Sequence, residues 1–207
     1  MMKAKPKTIL TIVLGVAWAG TAVLGGRALL KYENSPGEVG RVAPAWPPNS
    51  AVQLASDRPT LVMTVHPLCP CTRASVAELA ELMARVQGKV RAYVLVYTPR
   101  ETGSDWQNSD LRRAAADIPG VTVLSDIDGE EAERLGAETS GHAFLFDPTG
   151  RLVFNGGITA SRGHAGDNAG ESAIVSLIND HASKRSQTFV FGCSLKNRAQ
   201  TGAKCLK

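Results

Sequence analysis

The chain has few cysteines, no large excess of charge outside its N-terminus, and no internal repeat. Residues 1–31 contain five basic residues and no acidic one, against a formal charge of +4 for all 207 residues. The remainder therefore carries about −1, and it lacks the basic excess of proteins that bind nucleic acids through their overall field. The glycine-rich stretch 156–170 lacks the Lys-Ser/Thr pair of a phosphate-binding loop. A length of 207 residues fits one domain with additional segments.

The first 31 residues predict a membrane anchor or an export signal. An uncharged, mostly apolar run from Ile9 to Gly26 is long enough for a marginal membrane span. Three lysines precede the run, which places that end in the cytoplasm and the rest on the periplasmic side of a bacterial inner membrane. Cleavage after Ala19 also fits the small residues there. A retained single-pass anchor is favoured because the apolar run continues to Leu24.

Residues 32–58 predict a linker between this segment and the domain. The prolines and glycines that interrupt regular structure here are Pro36, Gly37, Gly40, Pro44, Pro47 and Pro48. Proline-rich chains of this kind are extended and semi-rigid. We therefore expect a tether that holds the domain off the membrane.

Alternating strand and helix patterns over residues 59–185 predict an α/β domain. Strands are predicted at 60–65, 90–97, 121–124, 142–146 and 152–154, the last two as a hairpin. Helices are predicted at 72–87, 109–116, 129–135 and 171–183. Residues 186–207 follow as a C-terminal tail.

Cys69 and Cys71 lie at the junction between the first predicted strand and the first predicted helix. A helix N-terminus presents unpaired N–H groups and partial positive charge. That environment favours thiolate, the form that attacks disulfides, peroxides or metals. We expect Cys69 to be the nucleophile and the more exposed thiol. Inert apolar packing of both cysteines is the alternative interpretation.

The sequence His66-Pro-Leu-Cys-Pro-Cys-Thr-Arg-Ala-Ser-Val-Ala-Glu-Leu79, with the strand and helix order around it, resembles the redoxin branch of thioredoxin-like proteins. The resemblance covers residues 59–185. This branch includes membrane-tethered thiol–disulfide oxidoreductases of cytochrome maturation and RedB-type proteins. The resemblance implies a thioredoxin-like fold with a central mixed sheet flanked by helices. It also implies protein thiol or disulfide substrates, a redox partner and no bound cofactor.

The site departs from the family pattern in three places. Relatives typically carry Cys-Pro-Pro-Cys, whereas here Thr72 takes the place of the second cysteine and Cys71 comes one residue early. Leu68 replaces an aromatic residue, and Gly141 stands where relatives have a proline that faces the reactive cysteine. These changes alter the usual docking of an extended peptide. We expect Thr72 and Gly141 at the substrate-binding surface.

The thiol that resolves a mixed disulfide on Cys69 is either Cys71 or a cysteine from elsewhere. A Cys69–Cys71 disulfide closes a very small ring, and strained disulfides are more easily reduced. Cys193 lies beyond the last predicted helix, and about nine residues of extended chain reach up to roughly 30 Å. The tail is therefore long enough to double back along that helix to the active-site end. A structural or unpaired Cys193 is the other interpretation.

Four further residues are candidates for contacts with the substrate. His66 and His142 are expected close to Cys69, with a pKa suited to proton transfer. The alternative interpretation, favoured for each histidine, is a polar surface or strand-end residue. Arg162 and His164 belong to the glycine-rich loop 156–170, which we expect to border the site. A flexible surface loop is the alternative there.

Other functions remain open at this point. Histidine and cysteine are soft ligands suited to copper(I), but the cysteine spacing differs from that of thioredoxin-like copper-insertion proteins, and no metal ligands are assigned. A thiol peroxidase is disfavoured because Thr64 and Pro67 do not have the expected spacing from Cys69. A purely structural tethered domain is the third alternative. The leading prediction is an exported thiol–disulfide oxidoreductase.

Overall fold

The computed structural model describes residues 6–100, 106 and 108–196, so Cys205 and the first two lysines lie outside the described residues. The chain divides into two compact units, with the division after Ser35. The first unit is the 28-residue helix α1 (Pro6–Glu33). Its residues Lys7–Glu33 have a mean hydropathy of 1.9 and form one helix long and apolar enough to cross a membrane. This helix fits the predicted anchor or signal segment.

The second unit is built on a five-stranded mixed sheet. Its strands are β1 (Thr60–Val65), β2 (Arg91–Thr98), β3 (Val121–Ile127), β4 (His142–Phe146) and β5 (Leu152–Gly157). Their order across the sheet is β3-β2-β1-β4-β5. β1, β2 and β3 are parallel, and β4 and β5 are antiparallel to their neighbours. This is a thioredoxin-like fold, and the predicted fold class is confirmed.

Helices cover both faces of this sheet, because the central strands are apolar on both sides. All six residues of β1 are buried. The helices are α2 (Thr72–Val86), α3 (Asp110–Ala116), α4 (Glu130–Leu135) and α5 (Ala169–Asn179). Apolar residues of α2, α3 and α5 form one core on one face, and α4 contributes to a second core around Phe144 and Phe146 on the other. All nine elements predicted for this domain are present, with ends displaced by a few residues.

Residues 36–58, here called the N-terminal segment, pack on the domain rather than leading away from it. The N–H of Trp46 donates to Gly150 O at 2.7 Å, and the N–H of Leu152 donates to Pro44 O at 3.1 Å. Val52 is buried in the second core, and Trp46 packs edge-on against Phe146. The expectation of an extended tether is therefore wrong for this segment. Its apolar side chains are buried by the sheet face that α4 leaves uncovered.

Residues 186–195, here called the C-terminal strap, return along the free edge of β5 to the end of the sheet that carries Cys69. The N–H of Asn155 donates to Ser186 O at 3.0 Å, and the N–H of Gly157 donates to Phe189 O at 3.2 Å. The strap begins soon after α5 because this helix ends at Asn179, four residues earlier than predicted. The strap thus pairs with an edge strand that would otherwise expose its backbone hydrogen-bonding groups.

Val190 anchors the strap, and its replacement tests whether the strap is docked in solution. Val190 has no exposed surface, whereas Phe189 beside it is 69% exposed. We expect Val190→Ala to lower the free energy of unfolding by about 1.5–2 kcal/mol, since it removes two buried carbon groups. Urea unfolding followed by tryptophan fluorescence measures this change. Phe189→Ala is the matched control, with an expected change below about 0.5 kcal/mol, and equal effects of the two variants would contradict a docked strap.

Candidate active site

The Cys69-Pro70-Cys71 sequence forms a tight turn that runs directly from β1 into α2. The N–H of Cys69 donates to His66 O at 3.0 Å, and the N–H of Thr72 donates to Cys69 O at 3.2 Å. The N–H groups of Arg73 and Ala74 likewise donate to carbonyls three residues earlier. The first amides of α2 are therefore engaged with the turn itself. They are not the free donors to a thiolate that the sequence predicts.

Three sulfur atoms meet at this turn. The Sγ atoms of Cys69, Cys71 and Cys193 all lie within 4.8 Å of one another. Cys69 Sγ and Cys193 Sγ are 2.9 Å apart, and the N–H of Cys193 donates to Cys69 Sγ at 3.4 Å. No disulfide joins any two of these three cysteines. The strap thus brings Cys193 to Cys69, along the path that the length of the tail allows.

The expectation that Cys69 is the more exposed thiol is wrong. Cys69 is only 2% exposed and Cys71 is 8% exposed, whereas Cys193 is partly exposed. The reason is the strap, whose Cys193 backbone and side chain lie directly on the Cys69 sulfur. Neighbouring Leu68 remains 45% exposed and marks the rim of the site.

The pKa values of Cys69 and Cys71 are shifted in opposite directions. The hydrogen bond from Cys193, followed by hydrogen bonds from Cys71 and Thr72 and from the Cys193 N–H, holds the pKa of Cys69 far below its ordinary value, despite burial. The pKa of Cys71 is raised. Its hydrogen bond with Cys193 acts to lower that pKa, but three effects that raise it are larger together: the hydrogen bond to Cys69, burial, and the negative charge of Cys69. Near neutral pH, Cys69 is therefore the thiolate and Cys71 keeps its proton.

Ser140, a residue not singled out in the sequence, connects the elements of the site. Its Oγ accepts the N–H of His66 at 2.7 Å and lies 2.7 Å from Thr72 Oγ1. Its N–H donates to Cys193 O at 2.8 Å. Ser140 therefore ties the end of β1, the start of α2 and the strap together. Nothing in the sequence distinguishes this serine, because each of its partners is distant along the chain.

Gly141 occupies the family's proline position for a local steric reason. Its φ is +89°, and a Cβ there would lie 2.8 Å from Ser75 Oγ. Its N–H donates to Thr64 O at 2.7 Å. A proline has no N–H and cannot adopt a positive φ. The departure from the family pattern is therefore built into the backbone, and Thr72, predicted beside it, is fully buried.

Neither histidine contributes an atom to the group formed by the three sulfurs. The His66 ring stacks on Tyr97, contacts Trp106 edge-on and accepts the N–H of Leu68 at 3.2 Å through Nδ1. Burial lowers its pKa, against the charge of Cys69. His142 is fully buried against Phe144, and its ring nitrogens have no hydrogen-bond partner among the described residues. Burial lowers its pKa to about 4, so it is neutral at pH 7.

Arg162 of the glycine-rich loop contacts the strap. Its guanidinium donates to Gly192 O, one residue from Cys193, and its charge acts to lower the pKa of Cys71. His164 is exposed, and its Nδ1 lies 2.8 Å from Arg162 O. The loop therefore borders the site as expected, but through Arg162 and the strap rather than by direct contact of His164 with a sulfur atom.

The buried carboxylate of Glu78, a second residue not singled out in the sequence, fixes this loop to α2. Glu78 accepts the N–H of Gly166 at 2.7 Å and the side-chain amide of Asn168 at 2.8 Å. Asn168 in turn caps α5 by accepting the N–H of Glu171. The side chain of Asn168 is therefore committed to these structural bonds.

No protein-family model and no curated protein matches this chain. Among solved structures, it is similar to an uncharacterised conserved protein from Geobacillus kaustophilus, with a TM-score of 0.59 and 19% identity over 82% of this chain and 97% of that one. A hypothetical protein from Sinorhizobium meliloti 1021 gives a TM-score of 0.57 and 18% identity, over 81% and 99% of the two chains. A secreted Mycobacterium tuberculosis disulfide oxidoreductase homologous to E. coli DsbE gives 0.44 and 12%, over 61% and 84%.

Similarities at this level of identity show the fold alone. The activity has to be inferred from the residues of the site. The chain has a thioredoxin-like fold, and the sulfurs of Cys69, Cys71 and Cys193 lie together at the junction of β1 and α2.

Proposed function

We propose that this protein is a membrane-anchored thiol–disulfide oxidoreductase that acts outside the cytoplasm. The observation that carries the proposal is the meeting of three cysteine sulfurs within 4.8 Å, one of them held as a thiolate. A thiolate beside a second thiol is the arrangement needed for two successive exchanges of disulfide bonds. The substrates are protein thiols or disulfides, and α1 tethers the domain to the membrane.

The reaction consists of two displacements. The Cys69 thiolate attacks a substrate disulfide, forming a mixed disulfide and releasing one substrate sulfur as a thiolate. A second thiol of the site then loses its proton to that released thiolate or to water, and attacks Cys69. The second substrate sulfur leaves, and both electrons of the protein's dithiol have passed to the substrate. A dithiol partner protein reduces the new internal disulfide and resets the site.

Cys193 is the resolving thiol in this proposal. Its sulfur lies 2.9 Å from Cys69 Sγ, whereas a disulfide bond is about 2.05 Å long. Only a small movement of the strap therefore separates the reduced dithiol from a Cys69–Cys193 disulfide. A Cys69–Cys71 disulfide instead closes a very small ring, and the raised pKa of Cys71 leaves it protonated and a poor nucleophile. In this proposal Cys71 is a hydrogen-bond donor that stabilises the Cys69 thiolate.

Access to Cys69 requires the strap to move. A sulfur that is 2% exposed cannot align with a disulfide of another protein. Displacement of the strap uncovers Cys69 together with the surface around Gly141 and Thr72, which we propose receives the substrate. Arg162 and His164 flank this opening on the loop side, and His66 and His142 lie on the side of β1 and β4.

The ionisation of Cys69 is testable by ultraviolet absorbance of the thiolate near 240 nm in the reduced protein. Because its folded pKa is lowered, we expect one thiolate equivalent at pH 7 that disappears only at clearly acidic pH. Cys69→Ser removes it, and Cys193→Ala moves the midpoint upward, since Cys193 supplies the largest stabilising side-chain hydrogen bond and alanine has no donor to replace it. Cys205→Ser is the control with no expected effect at pH 7. A wild-type midpoint near the ordinary value of about 8.5 would refute the assignment.

The order of the two displacements is testable by trapping. We expect Cys69→Ser to abolish reduction of insulin disulfides and Cys193→Ser to accumulate a mixed disulfide on Cys69, because its release step is removed. Mass spectrometry of the oxidised wild type should find Cys69 linked to Cys193. Cys71→Ser is the matched variant and should still turn over. Turnover by Cys193→Ser at the wild-type rate, or a Cys69–Cys71 linkage in the wild type, would contradict this order.

The covering role of the strap is testable by alkylation. Arg162→Ala removes a charged hydrogen bond to Gly192 O, and a loss of about 1.4 kcal/mol raises the undocked population about tenfold. We therefore expect iodoacetamide to modify Cys69 about ten times faster in this variant, as followed by peptide mass spectrometry. His164→Ala, in the same loop, should leave the rate unchanged. An unchanged rate in Arg162→Ala would show that the strap does not limit access.

A further inference from the structure

The cluster of Cys69, Cys71 and Cys193 has the geometry of a three-sulfur metal site. Among the described residues, these three thiols form a group whose ligand atoms all lie within 4.8 Å of one another. Three sulfurs arranged around one ion at metal–sulfur bonds of roughly 2.3 Å stand about 4 Å apart. The sulfurs of Cys69 and Cys193 are 2.9 Å apart, and no pair of the three sulfurs is more than 4.8 Å apart. Displacements of about 1 Å therefore suffice to place all three sulfurs on one ion.

We propose that the reduced protein binds one copper(I) ion through the sulfurs of Cys69, Cys71 and Cys193. The donor set is purely thiolate, and soft thiolates favour copper(I), zinc and iron–sulfur clusters over harder metal ions. Neither a carboxylate nor an imidazole joins the group in the described part of the chain. The proposal needs only three reduced thiols, so it stands or falls separately from thiol–disulfide exchange.

The missing fourth ligand distinguishes copper(I) from zinc. Structural zinc sites are almost always four-coordinate and tetrahedral. The nearest imidazole along the chain, that of His66, is held between Tyr97 and Trp106, with Nδ1 occupied by the N–H of Leu68. Cys69 and Cys71 are at most 8% exposed, which leaves little room for a water ligand. Three sulfurs without a fourth donor therefore fit a trigonal copper(I) ion.

The surroundings of the sulfurs suit an anionic copper–thiolate centre. The N–H of Cys193 already points at Cys69 Sγ at 3.4 Å, and outer hydrogen bonds of this kind orient metal ligands. The positive charge of Arg162 acts on Cys71 and helps to offset the excess negative charge of three thiolates around one monovalent ion. Ser140 fixes the strap through its N–H to Cys193 O, so the third ligand is held by the fold.

Binding is a simple exchange of protons for a metal ion. Cys69 binds as the thiolate it already is, the other two thiols give up their protons to solvent on coordinating copper(I), and neither the metal nor the sulfur changes oxidation state. A disulfide between any two of the cysteines removes two ligands. Only the fully reduced protein therefore binds, and the bound ion prevents closure of the Cys69–Cys193 disulfide.

The test is a titration of the reduced full-length protein in detergent under nitrogen, with copper(I) supplied in competition with bathocuproine disulfonate. We expect one ion per chain, and at least tenfold weaker retention in Cys193→Ser. Cys205→Ser is the matched control and should retain copper as the wild type does. X-ray absorption of the loaded wild type should show three sulfur neighbours at roughly 2.3 Å, which tests the site without relying on any variant.

Three results would overturn the proposal. One is retention in Cys193→Ser equal to that of the wild type, with two sulfur neighbours in both. Another is loss of retention in Cys205→Ser alone. The third is binding of zinc in place of copper(I) when both are offered, with a fourth, lighter neighbour in the absorption spectrum. None of these outcomes affects insulin reduction by the metal-free protein, so failure here and failure of the proposed exchange reaction are distinguishable.

Discussion

The docking of the C-terminal strap on Ser140 is the interaction on which the site depends. The N–H of Ser140 donates to Cys193 O, and Gly192 lies so close that a Cβ there would be 1.9 Å from Ser140 O. Only glycine permits this approach. The contact places Cys193 against Cys69, supplies the N–H that lowers the thiolate's pKa, and covers the sulfur. This backbone contact thus brings a third thiol into the site, helps to lower the pKa of Cys69 and buries its sulfur.

The strap in turn depends on the other end of the chain. The N–H of Gly37 donates to Val190 O at 2.8 Å, and Thr139 Oγ1 donates to Glu38 O at 2.7 Å. The N-terminal segment therefore holds the strap at its buried anchor and holds the residues just before Ser140. Two segments outside the predicted domain, one at each end of it, support the same corner of the sheet. Their contribution explains why the site differs from one formed by a strand and a helix alone.

The parts of this structure that follow from local pattern are readable from the sequence, and those that follow from distant contacts are not. The buried run of β1 and the apolar spacing of α2 specify their elements directly. The length of the tail correctly predicts that Cys193 can return to Cys69. The burial of Cys69, the role of Ser140 and the packing of residues 36–58 depend on pairs separated by tens of residues, for which a single sequence carries no signal. Proline and glycine in that segment indicate irregular backbone, and irregular backbone packs as readily as it extends.

Shielding and reactivity of Cys69 are linked in the proposed exchange reaction. The docked strap supplies the hydrogen bond that lowers the pKa of Cys69 most, that of the Cys193 side chain. The intrinsic nucleophilicity of a thiolate falls with its pKa, and attack is fastest when that pKa is near the ambient pH. A strongly stabilised thiolate under the strap is therefore both inaccessible and weakly nucleophilic. Release of the strap removes the hydrogen bond from Cys193 and uncovers the sulfur in the same movement, so a substrate that displaces the strap meets a more reactive nucleophile than the closed site contains.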